Sequence, residues 1–207
     1  IKLDLAHQIM DIIDRAANCE NIIITGSFLD RGFNFNDIDI LLISEDKLNE
    51  MHLKGIIENS IKIKVHLIIL DNKTLMRGLS TDPLYQMILS KCIAKKRFIY
   101  KVKYNIDYKL LDLQLLKSKI LIDNFDFLNG DEKYYLVRNI MAISLFLQYK
   151  KIDKEHIDKK IIKFFGLKDI KEIKQNILNK DLFLKKYKVI YKKIFNEIMN
   201  GIKYGSK

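Results

Sequence analysis

The sequence predicts a chain in two parts, a layer of strands and helices (α/β or α+β) followed by an all-α bundle. Three observations carry this. Short β-branched runs are confined to residues before 104, and only helical periodicity continues beyond it. The 207 residues, 48% hydrophobic and 30% charged, suffice for one large core or two small ones and lack the composition of a disordered chain. The net charge of +11 is uneven: residues 1–104 hold 15 basic and 13 acidic side chains, and residues 105–207 hold 22 and 13. The expected division is therefore 1–104 and 105–207, two units with different partners.

The lysine excess is a weak nucleic-acid signal. Lysine and isoleucine number 32 and 35, with one proline and no tryptophan, a skew that a compositionally biased genome produces by itself. The longest apolar runs, residues 38–43 and 65–70, fall far short of a bilayer span, so no membrane partner is expected. Cys19 and Cys92 make neither a disulfide framework nor a metal-type spacing. No secretory pattern opens the chain, so a cytoplasmic protein is expected; it begins at Ile1 rather than methionine, which leaves room for upstream sequence.

Residues 1–18 repeat Leu5, Ile9, Ile12, Ile13 and Ala16 at helical spacing. Residues 22–25 are β-branched, too short for a helix, and end at Gly26. Residues 37–44 form a second strand, residues 45–59 a helix with Leu48, Met51, Ile56 and Ile57 inward, and residues 61–70 a third strand entering a core. Asp82-Pro83 opens a helix running to Cys92, with proline where a first turn tolerates it. Beyond Tyr104, residues 107–124, 131–149, 153–164, 168–178 and 181–202 show helical periodicity, with Asp131 and Asp153 as expected N-caps.

The chemistry concentrates in residues 26–43, GSFLDRGFNFNDIDILLI. A strand ends in Gly26-Ser27, a small-residue turn whose free N–H groups can hold phosphate oxygens. Asp37-Ile38-Asp39 then opens an apolar strand, where alternation puts both carboxylates on one face and Ile38 and Ile40 on the other. Two carboxylates beside a phosphate cradle suit magnesium-dependent phosphoryl chemistry. The competing reading is a polar loop with two surface aspartates.

This segment resembles the nucleotidyltransferase superfamily typified by DNA polymerase beta, kanamycin nucleotidyltransferase and the minimal nucleotidyltransferases. The resemblance covers roughly residues 1–100. It implies an α+β fold, a mixed sheet flanked by helices, followed here by the all-α bundle. It also implies nucleotide binding at Gly26 and Ser27, and a two-metal magnesium site held by Asp37 and Asp39. The implied reaction moves a nucleoside monophosphate, expected to be AMP from ATP, to an acceptor hydroxyl with release of pyrophosphate. The acceptor is a small molecule, a protein side chain or an RNA end.

The departure is at the third carboxylate. On the strand Lys64-Val65-His66-Leu67-Ile68, His66 stands where the family places an aspartate. Imidazole serves as a general base near neutral pH but is a poor magnesium ligand. Three readings follow: His66 as a substituted catalytic base, a degenerate site that only binds nucleotide or RNA, or a shifted alignment with Asp71 as the replacement. Arg31 and Asn36 lie in the loop beside the carboxylates and could touch triphosphate or simply face water.

The helical half resembles the HEPN domains that accompany minimal nucleotidyltransferases, and homo-oligomerisation through it is an expectation. The ribonuclease members carry an arginine followed a few positions later by histidine; after Arg138-Asn139 no histidine follows, so ribonuclease activity is not expected. Arg138 either reaches the cleft and a phosphate, or snorkels, or pairs with Asp131 or Glu132. In the last helix Leu184, Tyr187, Ile190, Tyr191, Ile194, Phe195 and Ile198 share one stripe, with lysines over much of the remainder. That is an amphipathic helix on the bundle first, and a phosphate-binding surface second.

Overall fold

The computed structural model describes residues 1–30, 32–33, 35–97 and 104–204. These form a mixed α and β chain with one four-stranded sheet. The chain divides into two compact units, Ile1–Ser80 with Ile88–Lys103, and Thr81–Met87 with Tyr104–Lys207. The expected 104/105 division adjoins residues 98–103, which lie outside the described residues. Thr81–Met87 sits in the second unit because Met87 packs on the helical core and Asp82 accepts a hydrogen bond from Gln114 Nε2 at 3.3 Å.

In the first unit α1 (Lys2–Ala16) leads to β1 (Asn21–Thr25), a one-turn 3-10 helix (Ser27–Leu29) and β2 (Asp37–Ile43). Next come α2 (Glu50–Ile61), β3 (Lys64–Leu70), α3 (Asn72–Thr81) and, after α4 (Pro83–Leu89), most of which belongs to the second unit, the two-residue β4 (Ile93–Ala94). The strand order is β3-β2-β1-β4, with β1 antiparallel to β2 and β4, and β2 parallel to β3. A parallel pair needs a crossover, and α2 supplies it. Asn49 caps α2 by accepting from the His52 N–H, and Lys62 ends it in the left-handed region at φ 57°.

One sheet face is wholly apolar. Ile22 and Ile24, Ile38, Ile40 and Leu42, and Val65 and Leu67 pack with Ala6, Ile9 and Ile13 of α1 and Leu53 and Ile57 of α2. Since successive side chains alternate, the same pairing sends Asp37, Asp39, Lys64 and His66 to the other face. Several expectations are corrected here. Met51 is 86% exposed and Ala16 also faces solvent, while Ala6, Met10 and Leu53 are buried instead. Helix α3 and strand β4 were not foreseen: α3 is a mostly polar segment with Leu75 and Leu79 buried, and β4 spans two residues.

The second unit holds helices only, among the described residues: α5 (Tyr108–Ser118), α6 (Ile120–Asp123), α7 (Gly130–Leu147), α8 (Lys154–Phe165), α9 (Lys171–Lys174) and α10 (Lys180–Tyr204). Helix α7 is buried along most of its length and forms the centre of this core. Its N-cap is Asn129 with Glu132 closing a capping box, so Asp131 lies inside the first turn rather than capping it. Asp153 does cap α8 through the His156 N–H. The expected helix over 168–178 shrinks to the four residues of α9. On α10 the buried stripe is Phe183, Tyr187, Ile190, Ile194 and Ile198, with Phe195 turned out at 40% exposure. No helix among the described residues is long and apolar enough to cross a membrane.

Candidate functional site

Apart from Asn21, the polar residues of the sheet gather at one end, where β1 finishes and β2 and β3 begin. The register pairs Thr25 with Asp39 and Asp39 with His66, so the three form one row across the strands. One step towards the start of β2, Asp37 pairs with Lys64. Directly paired residues point to the same side of a sheet, so Asp37, Asp39, Lys64 and His66 share a face. Asp37, Lys64 and His66 are exposed and Asp39 is half-buried.

The His66 Nδ1 atom lies 3.3 Å from Asp39 Oδ1 in hydrogen-bonding geometry. Burial raises the Asp39 carboxyl above the usual aspartate range; the hydrogen bond from His66 opposes this, and the neighbouring charge of Asp37 adds to it. The other oxygen, Oδ2, rests against Gly26, the residue that follows β1. A Cβ on Gly26 would fall 1.9 Å from Asp39 Oδ2, and the backbone there has φ +81° and ψ −163°, a region open in practice to glycine alone. Glycine is required twice over: for the turn, and to leave Asp39 its place.

After Gly26 the chain makes the single 3-10 turn, with Leu29 and Asp30 N–H groups bonding back to the carbonyls of Gly26 and Ser27. Ser27 is exposed and Phe28 is buried. The loop is fastened from two sides. Lys2 Nζ donates to the Asp30 carbonyl at 2.7 Å and stands 5.1–5.5 Å from the ring centroids of Phe28, Phe33 and Phe35. Lys91 Nζ pairs with the Asp30 carboxylate at 3.1 Å. Arg31 lies outside the described residues, and Asn36 is exposed.

The structure thus brings Gly26, Asp37, Asp39 and His66 to one end of one sheet, with Ser27 opening the adjoining turn. Asp71, the alternative to His66, caps the start of α3 by accepting from the Thr74 N–H. Lys64 went unassigned in the sequence, although its position two residues before His66 on an alternating strand was the signal for it. The Gly26–Asp39 contact had no such signal, because it joins residues on different strands.

The donor chemistry of Asp37 and Asp39, two carboxylates on a solvent-facing surface, is what magnesium takes, and the space left by the missing Cβ of Gly26 keeps one Asp39 oxygen clear of side chain from that residue. Among the described residues, no group of three or more His, Cys, Asp or Glu is placed to hold a metal ion. In the second unit, Arg138 pairs with neither expected partner: Asp131 pairs with Lys174 at 3.2 Å, and Glu132 closes the cap. The Arg138 guanidinium lies 5.1 Å from the Tyr135 ring centroid and 5.9 Å from that of Tyr134, and its Nε is buried with no hydrogen-bond partner.

No family model matches the chain, and no curated protein or solved structure matches it either.

Proposed function

We propose that this chain is a magnesium-dependent nucleotidyltransferase, moving a nucleoside monophosphate from a nucleoside triphosphate to an acceptor hydroxyl. The observation that carries the reading is the single cluster of Asp37, Asp39 and His66 on one sheet face, beside the Gly26-Ser27 turn. The resemblance of residues 26–43 to the nucleotidyltransferase superfamily supplies the reaction class. ATP is the first donor to try, and AMP the group transferred.

In this reading Gly26 and Ser27 meet the triphosphate, and Asp37 and Asp39 would hold the cation. Bound there, magnesium supplies charge neutralisation at the phosphates. The acceptor oxygen forms a bond to the α-phosphorus, the bond to pyrophosphate breaks, and the hydroxyl proton must leave. With Nδ1–H turned to Asp39, the His66 Nε2 lone pair is left to accept that proton, an arrangement in which the carboxylate fixes the tautomer and orients the ring.

The test is pyrophosphate release from each nucleoside triphosphate with magnesium, using the full chain and Asp39→Asn. Asparagine keeps shape and one acceptor but removes the charge that holds a cation, so turnover should fall by at least about 100-fold with the fold unchanged. Undiminished release by that variant sinks the assignment. The second reading is a nucleotide-binding module without transferase activity. It is favoured by the imidazole standing at the position of the family's third carboxylate, and nucleotide binding without any pyrophosphate release would establish it.

A further inference from the structure

The family's two-metal arrangement does not fit the residues of this site, and the way it fails is informative. Two cations about 3.5–4 Å apart need a carboxylate that gives one oxygen to each, with further carboxylates completing both shells. Here the outward face of β2 and β3 carries two carboxylates, Asp37 and Asp39, and two nitrogen side chains, Lys64 and His66. Asp39 is the one that would have to bridge, because it occupies the middle of the Thr25–Asp39–His66 row. Its Oδ1 already faces His66 Nδ1 at 3.3 Å, and its Oδ2 sits over Gly26 where a side chain would otherwise stand. One oxygen of Asp39 is therefore left for a cation. Asp37, two residues earlier on the same face, can complete one such site and not two.

Resting on the nucleotidyl-transfer reading, we infer that the site takes a single divalent cation, with His66 and Lys64 occupying the ground of the second. Lys64 stands opposite Asp37 on the edge strand, as His66 stands opposite Asp39. The two side chains line the outer border of the carboxylate pair: Lys64 offers N–H donors to phosphate oxygens, which a second cation would otherwise neutralise, and His66 holds one Asp39 oxygen through Nδ1. The ligand class that follows is a phosphate chain carrying one divalent cation, met by that cation on one side and by Lys64 on the other. The hydrogen bond to Asp39 requires only a proton on Nδ1, which neutral imidazole supplies, so the arrangement does not depend on the charge state of His66.

The experiment is a count of bound Mn²⁺ by electron paramagnetic resonance, with the full chain and a non-hydrolysable nucleoside triphosphate analogue in saturating amount. The wild type should hold one Mn²⁺ per chain, without the spectral broadening of a coupled pair. His66→Asp restores the third carboxylate at an exposed position, where the fold tolerates the change, and should raise the count to two with coupling visible. Lys64→Ala should leave the count at one and weaken analogue binding by roughly tenfold, the scale of one lost charge-assisted hydrogen bond. Two coupled ions in the wild type overturn this inference and leave the transferase reading standing. A count that stays at one in His66→Asp shows that His66 is not what limits it, and overturns the inference as well. A wild type that binds neither Mn²⁺ nor the analogue overturns the transferase reading itself.

Discussion

Gly26→Ala is the sharpest probe of how the site is built, because Gly32 provides a matched control. Both glycines have almost the same positive φ, +81° and +80°. At Gly32 an added Cβ meets nothing within 4 Å, so Gly32→Ala costs only the strain of a positive φ, about 1–2 kcal/mol. At Gly26 the new Cβ lands 1.9 Å from Asp39 Oδ2 and 2.9 Å from its Cγ. To reach ordinary contact the carboxyl must retreat by roughly 1.5 Å, which stretches its hydrogen bond to His66, and the crowding and strain together bring the cost to about 3–5 kcal/mol. Urea denaturation gives the two losses, and hydrogen exchange of β1 and β2 amides confirms that they fall in this unit. In an Asp39→Ala background the obstacle is gone, and Gly26→Ala should then cost clearly less than it does in the wild type, leaving only the backbone strain. Equal losses for the two alanine variants in the wild-type background would refute the argument that Asp39 fills the space beside Gly26.

Two further predictions concern the helical unit. Gly201 lies inside α10, where alanine ordinarily gains about 1 kcal/mol, but its Cβ would sit 2.1 Å from the Tyr108 ring; Gly201→Ala should destabilise by about 2 kcal/mol, read as a lower denaturation midpoint. Burial, with the charges of Lys150 and Lys193 adding to it, pushes the Lys160 amine down to about 8, while its Nζ donates to Ser144 Oγ at 2.9 Å. Between pH 8 and the ordinary lysine value of 10.5 the unfolded chain then binds more protons than the folded one, so this group makes stability rise with pH across that window. The side chain is only half buried, so solvent screening reduces the effect to about 1 kcal/mol. Lys160→Met should therefore be more stable than wild type at pH 7, with the gap closing towards pH 10; a gap independent of pH would refute it.

Much of the site was legible in residues 26–43 because its signal is local. A strand has period two, so Asp37 and Asp39 must share a face whatever the strand pairs with, and the apolar residues between and beyond them say which face meets the core. The glycine at position 26 likewise announced a turn. The resemblance put His66 in the cleft of Asp37 and Asp39, where the structure has it 3.3 Å from Asp39, but periodicity alone could not, since that depends on a parallel register set across the 20 residues from Ser44 to Ile63, including the whole of α2. A slip of one residue would have turned His66 into the core and Leu67 out.

The sequence by itself determined the succession α1, β1, β2, α2 and β3, the capping of α8 by Asp153, the confinement of strands to the first half among the described residues and the carboxylate pair, all from patterns within a few residues. Tertiary structure decided the rest. It set Lys64 against Asp37 and His66 against Asp39, gave the space beside Gly26 to Asp39, turned Met51 outward in favour of Leu53, and assigned Thr81–Met87 to the helical unit. Each of these joins residues far apart in the chain. Local propensity and periodicity constrain only neighbours, whereas register and burial are settled by packing against partners that no short stretch of sequence contains.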